Sequence, residues 1–349
     1  MKFLRLAFYV LIAQLVLSGC AGEGVEETSS SSSSEINFDA YLGRNASTRS
    51  GVTDIASLKG KEFNSGFGVF ARYNHNGATS PLMDNEHVTW KENHWGYTNT
   101  RYWPNEGSVD FYAFAPYLEN VKKLVCAPDS TKDNPTCIEF TSSTSPVDLV
   151  WDVQKNKTVP TSSTDGKVKF VFKHALARLG FDITANQELE ENGAVIQVEE
   201  VKLYGDTIVN GAFDIKGYLN LENGGWSRPK ENTRVVYTWT PTGAEDGTNF
   251  KLSASQLDHT CSKIENAPNS YLCIIPQEKW VAFYLQITYT VQQGTFKEEV
   301  KVRKNLLEVR NPFTFEKGKA YVFHLILSLD PINFSVTTTV VDWKEGKNE

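Results

Sequence analysis

The chain has 349 residues, of which 40 % are hydrophobic and 12 % aromatic, and its 42 acidic against 35 basic side chains give a net charge of −7. A phosphate backbone demands a basic face, so this balance argues against nucleic acid as a partner. No glycine-rich phosphate loop and no serine in a nucleophile elbow is present, and no acid pair stands out among the 42 carboxylates, so the chain reads as non-enzymatic and without a cofactor.

Lys2 and Arg5 precede an apolar run, Leu6 to Leu17, broken only by Gln14. The run falls short of the roughly 20 residues of a membrane-crossing helix and reads as a secretory signal. It ends in Leu17-Ser18-Gly19-Cys20, a bacterial lipobox, which makes residues 1–19 the signal and Cys20 the lipidated start of the mature chain. Losing the signal removes two basic residues and no acid, which takes the net charge from −7 to −9. Each buried acyl methylene contributes about 0.8 kcal/mol, so a multiply acylated Cys20 anchors durably to a membrane. Residues 20–35 contain six consecutive serines, Ser29 to Ser34, and Val25 as the sole branched aliphatic before Ile36. Such a stretch cannot bury enough surface to offset its chain entropy and reads as a disordered tether. Its Glu23, Glu26 and Glu27 resemble the acidic stretch behind the lipidated cysteine of surface-exported lipoproteins in the Bacteroidota.

Beyond the tether, period-two alternation dominates, the mark of half-buried strands, and no twelve successive residues carry a convincing helical stripe. The expected fold class is all-β. Ile36, Phe38, Ala40 and Leu42 alternate with Asn37, Asp39, Tyr41 and Gly43 as a first strand, and "GRNASTRSG" follows as a small, polar, exposed loop. In "WGYTNTRYWPNEGSVDFYAFAPY", Trp95, Tyr97, Tyr102 and Trp103 read as a packed β edge, with a sugar-stacking platform as the competing reading. There Asn105-Glu106-Gly107 turns the chain, and Val109, Phe111, Ala113 and Ala115 alternate into a core. Cys126 and Cys137 bound one polar loop and Cys261 and Cys273 another, so disulfides 126–137 and 261–273 are expected in an exported protein, although three pairings are possible. Metal binding is the weaker reading, because neither pair has zinc-knuckle spacing and no histidine lies inside either loop.

The polar stretch Gln154 to Gly166 is the best domain boundary, dividing residues 36–160 from 161–349, each half a β-sandwich of about seven or more strands. In "KVKFVFKHALARLGFDIT", Val168, Phe170 and Phe172 alternate before a slip of parity, and Ala177, Leu179, Phe181 and Ile183 alternate after it. That pattern predicts two strands joined by a bulge or bend at Lys173 to Leu176, with His174 a structural hydrogen-bonder. Phe283, Leu285, Ile287, Tyr289 and Val291 alternate again, and Ile332, Phe334, Val336, Thr338 and Val340 form a last strand, after which Trp343 to Glu349 offer no further appendage. His87, His94 and Glu86 read as solvated surface, and no metal site is assigned.

"RYWPNEGSVDFYAFAPY", "DLVWD", "FKHALARLGFDI" and "YVFHLILSLDPINFSVTTTVVDWKEG", in this order, resemble the fimbrillin family, subunits of type V pili in Bacteroides-like bacteria. The resemblance implies two tandem transthyretin-like β-sandwich domains, export as an outer-membrane lipoprotein, and assembly with other pilus subunits at the cell surface in support of adhesion. It further implies that an arginine-specific protease cuts after the first strand, at Arg49 in first place and Arg44 in second. The strand Ile36 to Leu42 would then be displaced, leaving a groove for a neighbour's donor strand. Ile332 to Val340 has the alternation a donor needs, and the same residues could instead close their own domain. A surface lipoprotein that keeps its lipid and anchors a pilus or binds a host glycoprotein or glycan is the competing reading.

Overall fold

The computed structural model describes residues 34–42, 55–60, 65–128, 130, 135–142, 147–160, 166–185, 193–206, 211–229, 233–239, 251–252, 272–279, 281–328 and 335–343. Residues 34–349 form one compact unit, whose described secondary structure is strand apart from two short helical turns. In its first half are β1 (Asn37–Tyr41), a helical turn α1 (Ile55–Leu58), β2 (Phe67–His75), β3 (Ala78–Lys91), β4 (His94–Gly96), β5 (Ser108–Ala115), β6 (Cys137–Thr141), β7 (Val150–Lys157), β8 (Lys167–Val171) and β9 (Lys173–His174). There follow β10 (Ala177–Ala185), β11 (Val195–Tyr204), β12 (Phe213–Asp214), β13 (Lys216–Asn220), β14 (Trp226–Ser227), β15 (Arg234–Val235), β16 (Tyr237–Trp239) and β17 (Lys251–Leu252). The last are β18 (Leu272–Ile274), β19 (Gln277–Lys279), β20 (Tyr284–Gln293), β21 (Phe296–Asn305), β22 (Phe313–Phe315), β23 (Lys319–Leu327) and β24 (Ser335–Asp342).

One eight-stranded sheet, in the order β8-β1-β4-β3-β2-β5-β7-β9, organises the first half. Asn76 and Gly77, both at positive φ, turn β2 into β3 in the manner of a tight two-residue hairpin. β3 is long enough to pair with β2 from Ala78 to Val88 and with β4 at Thr89 to Lys91, and its register against β2 shifts, which bends the sheet. The bend lays β8, β1 and β4 over β2 and β5, so Phe38, Phe67, Phe111 and Phe170 meet in one core. β5 is buried on both faces: Val109, Phe111 and Ala113 enter that core, whereas Tyr112 and Phe114 enter a second one beneath the three-stranded sheet β14-β13-β6.

The second half is a sandwich of β18-β10-β23-β24 against β16-β11-β20-β21. Alternate residues of β10, β11, β20 and β23, such as Phe181, Val198, Ile287 and Phe323, interdigitate between the two sheets.

β7 and β8, on either side of the expected break at Gln154 to Gly166, belong to the same sheet. β8 pairs in parallel with β1, and β9 pairs with β7, so the chain changes sheets at Ala175 and Leu176. The parity slip in the sequence marks this crossing: Val168 and Phe170 face one core and Leu179 and Phe181 another. Coupling between the halves is extensive, because β6 pairs with β13 and the second core joins Phe114 and Trp151 to Cys273, Ile275 and Trp343.

Candidate assembly site

β1 is held from both sides. Its five residues pair in parallel with Lys167 to Val171 of β8, and Phe38 pairs with Trp95 of β4. Ile36, Phe38 and Leu42 are buried and Ala40 is partly buried, so the alternation read from the sequence points inward as expected. Phe38 stacks on Phe170 at 5.8 Å between centroids and meets Phe67 and Phe111 edge-on. Hydrogen bonds close both ends: the Ile36 amide donates to Arg101 O at 2.8 Å, the Tyr97 hydroxyl to Ile36 O at 2.8 Å, and the Phe172 amide to Tyr41 O at 2.9 Å. Burial raises the Tyr97 hydroxyl above its ordinary pKa, which keeps this donor protonated.

β8 and Tyr97 are the elements of this site that the sequence did not assign to it. Alternation at Val168, Phe170 and Phe172 announced a strand, but parallel pairing across more than a hundred residues leaves no local trace. Cys20, Arg44 and Arg49 lie outside the described residues, as do Ile332, Phe334 and Cys261.

At the other end of the chain, β24 is an edge strand paired with β23 through eight successive residue pairs. Val336 is buried, Thr338 is partly buried, and Val340 is 39 % exposed. The described part of the candidate donor strand therefore sits on its own subunit with little apolar anchorage.

The aromatic segment is packed. Trp95 and Trp103 are each 3 % exposed, Trp95 meets Phe67 and Trp90, and Trp103 meets Phe111, so neither indole face is open to a sugar ring. Tyr102 alone of the four is largely exposed. His87 bonds Ser65 O at 2.7 Å, Glu86 accepts from Asn99, and His94 faces Glu92 O, so the three do not converge. His174 is buried against Asp148, with Nδ1 3.0 Å from a carboxylate oxygen.

Cys126 and Cys137 are free thiols in this structure, without the expected 126–137 disulfide, and Cys261, the expected partner of Cys273, lies outside the described residues. Val125, not Cys126, is the antiparallel partner of Cys137. Burial raises the Cys137 thiol above its ordinary pKa.

An open pocket of about 700 Å³ lies among β12, β15 and β19. There Asp214 accepts from Arg228 Nη1 at 2.9 Å and from Arg234 Nε at 3.0 Å, and Lys279 Nζ donates to Ala212 O. Burial acts to raise the Asp214 carboxyl, but the two arginines and Lys279 outweigh it and hold the pKa below the usual value. Burial pushes Lys279 down to about 8. The ion pairs satisfy one another, which marks this cluster as structural.

The fimbrillin-like family model matches residues 48–343. Fimbrium subunit Fim1C of Phocaeicola vulgatus is 32 % identical over 379 aligned positions, covering 97 % of this chain and 96 % of that protein. The solved structure of a fimbrial protein from Bacteroides vulgatus shares the fold at a TM-score of 0.62 and 22 % identity, covering 89 % of this chain and 99 % of that one. A solved structure from Bacteroides uniformis, assigned to cell adhesion, shares it at a TM-score of 0.50 and 18 % identity over 89 % of this chain and 99 % of that one. By the family model and this relative, the chain belongs to the fimbrillin-like family.

Proposed function

We propose that this protein is a structural subunit of a type V pilus, built of two transthyretin-like sandwich domains, exported as an outer-membrane lipoprotein on Cys20 and assembled by donor-strand exchange with other pilus subunits to support adhesion. Proteolysis after Arg49, or after Arg44, removes the lipid, the tether and β1 together. The observation that carries this reading is the placement of β1 between β4 and β8. Taking it away unpairs both neighbours and empties the positions of Ile36, Phe38 and Leu42, each worth roughly 1.5–3 kcal/mol of apolar burial. A groove so exposed favours an extended, alternating replacement strand. β24, with its alternation and edge position, is the candidate donor.

N-terminal sequencing with intact mass of protein from the surface of its native host tests the proposal. A start at Ser50 or Asn45 in high-molecular-weight material supports processing and polymerisation. A lipidated Cys20 on monomeric protein refutes both and leaves an anchor subunit or a separate surface lipoprotein.

A further inference from the structure

Outer strands of the sheets differ in how they are guarded. β8 exposes Lys167 and Lys169, and β21 exposes Lys297, Glu298, Glu299 and Lys301, charges of the kind that discourage pairing with another chain. From Ser335 to Val341, β24 has no charged residue and no proline, and its register against β23 is unbroken. It also contributes only Val336 to the buried core of its sandwich. Its other side-chain ties, His324 to Thr339 and Lys319 to Asp342, are exposed, so the strand needs a further, buried attachment to stay in place.

That attachment is Trp343, the residue after β24. It is 7 % exposed and packs in the core shared by the two halves, not in the sandwich to which β24 belongs. Its indole lies flat on the His174 ring, with centroids 4.0 Å apart and planes within 5°, and the Arg178 guanidinium carbon is 5.8 Å from the ring centre. His174 is fixed from behind by Asp148, whose side chain is fully buried. The Trp343 amide donates to Gly318 O at 2.8 Å, and the Gly318 amide donates to Leu176 O at 2.9 Å. The end of the last strand is thereby tied to the segment where the chain passes from the first sheet to the second. Gly318 makes this link at φ +67°, a conformation other residues adopt at a cost.

We propose that Trp343 is a latch: seated on His174 between the two halves, it holds β24 on its own subunit, and its withdrawal frees the strand. This rests on the reading of β24 as the donor strand, to which it adds a control point. An assembly partner that competes for the seat of Trp343 would speed donation without touching β24 itself.

Hydrogen–deuterium exchange on the purified full chain tests the latch apart from assembly. In Trp343→Ala, amides of β24 should exchange about ten-fold faster or more, while those of β2 and β20 keep their rates. His174→Asn should act in the same direction less strongly, and Trp343→Phe should restore most of the protection. If Trp343→Ala does not fold, the His174→Asn and Trp343→Phe pair gives the same comparison. Unchanged β24 exchange, or equal acceleration in all strands, overturns the proposal. Processed subunits mixed in solution then test the donor role: faster β24 exchange with unaltered polymerisation keeps the latch and removes β24 as the donor.

Discussion

Phe38 and Trp95 face each other as register partners across β1 and β4, both buried, at 1 % and 3 % exposure. The first strand thus covers an indole that belongs to the body of the subunit. Cleavage after Arg49 followed by loss of β1 should shift the Trp95 emission to the red, read as the difference between the parent and Trp95→Phe. Phe38→Ala in the uncut chain should cost about 3–5 kcal/mol, measured by urea unfolding. A value near zero would mean that β1 is not seated where the structure places it.

The burial of Trp95 and Trp103 sets a second expectation. Trp103→Ala should lower stability by about 3–5 kcal/mol, seen in equilibrium unfolding. On a glycan array, the parent and the Trp95→Ala and Trp103→Ala variants should give the same absence of signal. Sugar binding that disappears in either variant while the fold remains intact would restore the stacking platform.

Lys279 gives a prediction with a defined pH window. Its pKa of about 8 in the fold lies below the ordinary lysine value of 10.5, so between these limits the unfolded chain binds more protons and stability rises with pH. Below pH 8 the ammonium is charged in both states and the fold bears the whole desolvation cost. Lys279→Met should therefore be more stable than the parent at pH 7, by on the order of 1–3 kcal/mol, with the gap closing as pH approaches 10.5. Arg228 and Arg234 still neutralise Asp214 in that variant. Thermal unfolding from pH 6 to 10.5 checks both sign and window, and a gap that widens with pH would contradict the assignment.

Thiol reactivity separates the cysteines. Cys126 is half-buried, whereas burial raises the thiols of Cys137 and Cys273 and restricts access to them. Native alkylation at pH 8 should label Cys126 at least about ten-fold faster than the other two, with peptide mapping as the readout. A linked peptide holding Cys126 and Cys137 would reverse the free-thiol assignment.

Legibility of the sequence followed the range of the interactions. The alternation at Phe283 to Val291 and at Val168 to Phe172 gave strands at β20 and β8, because burying one face of a pleated chain writes a period of two into the residues. The same local signal says nothing of pairing. Polar residues at Gln154 to Gly166 mark a connection, but whether it joins two domains or two strands of one sheet depends on what β8 pairs with. Spacing likewise brings Cys126 near Cys137 without revealing that Val125 takes the position paired with Cys137.

By itself, then, the sequence determined the β class, the inward residues of the first strand, the hydrogen-bonding role of His174 and the resemblance to fimbrillins, since each is written in side chains close along the chain. Only the tertiary structure decided that β1 lies between β4 and β8, that Trp95 closes over Phe38, and that Trp343 sits on His174. These contacts join residues far apart in sequence. Their free energy comes from shared burial in the folded chain, and no periodicity of a single segment encodes which distant face will share it.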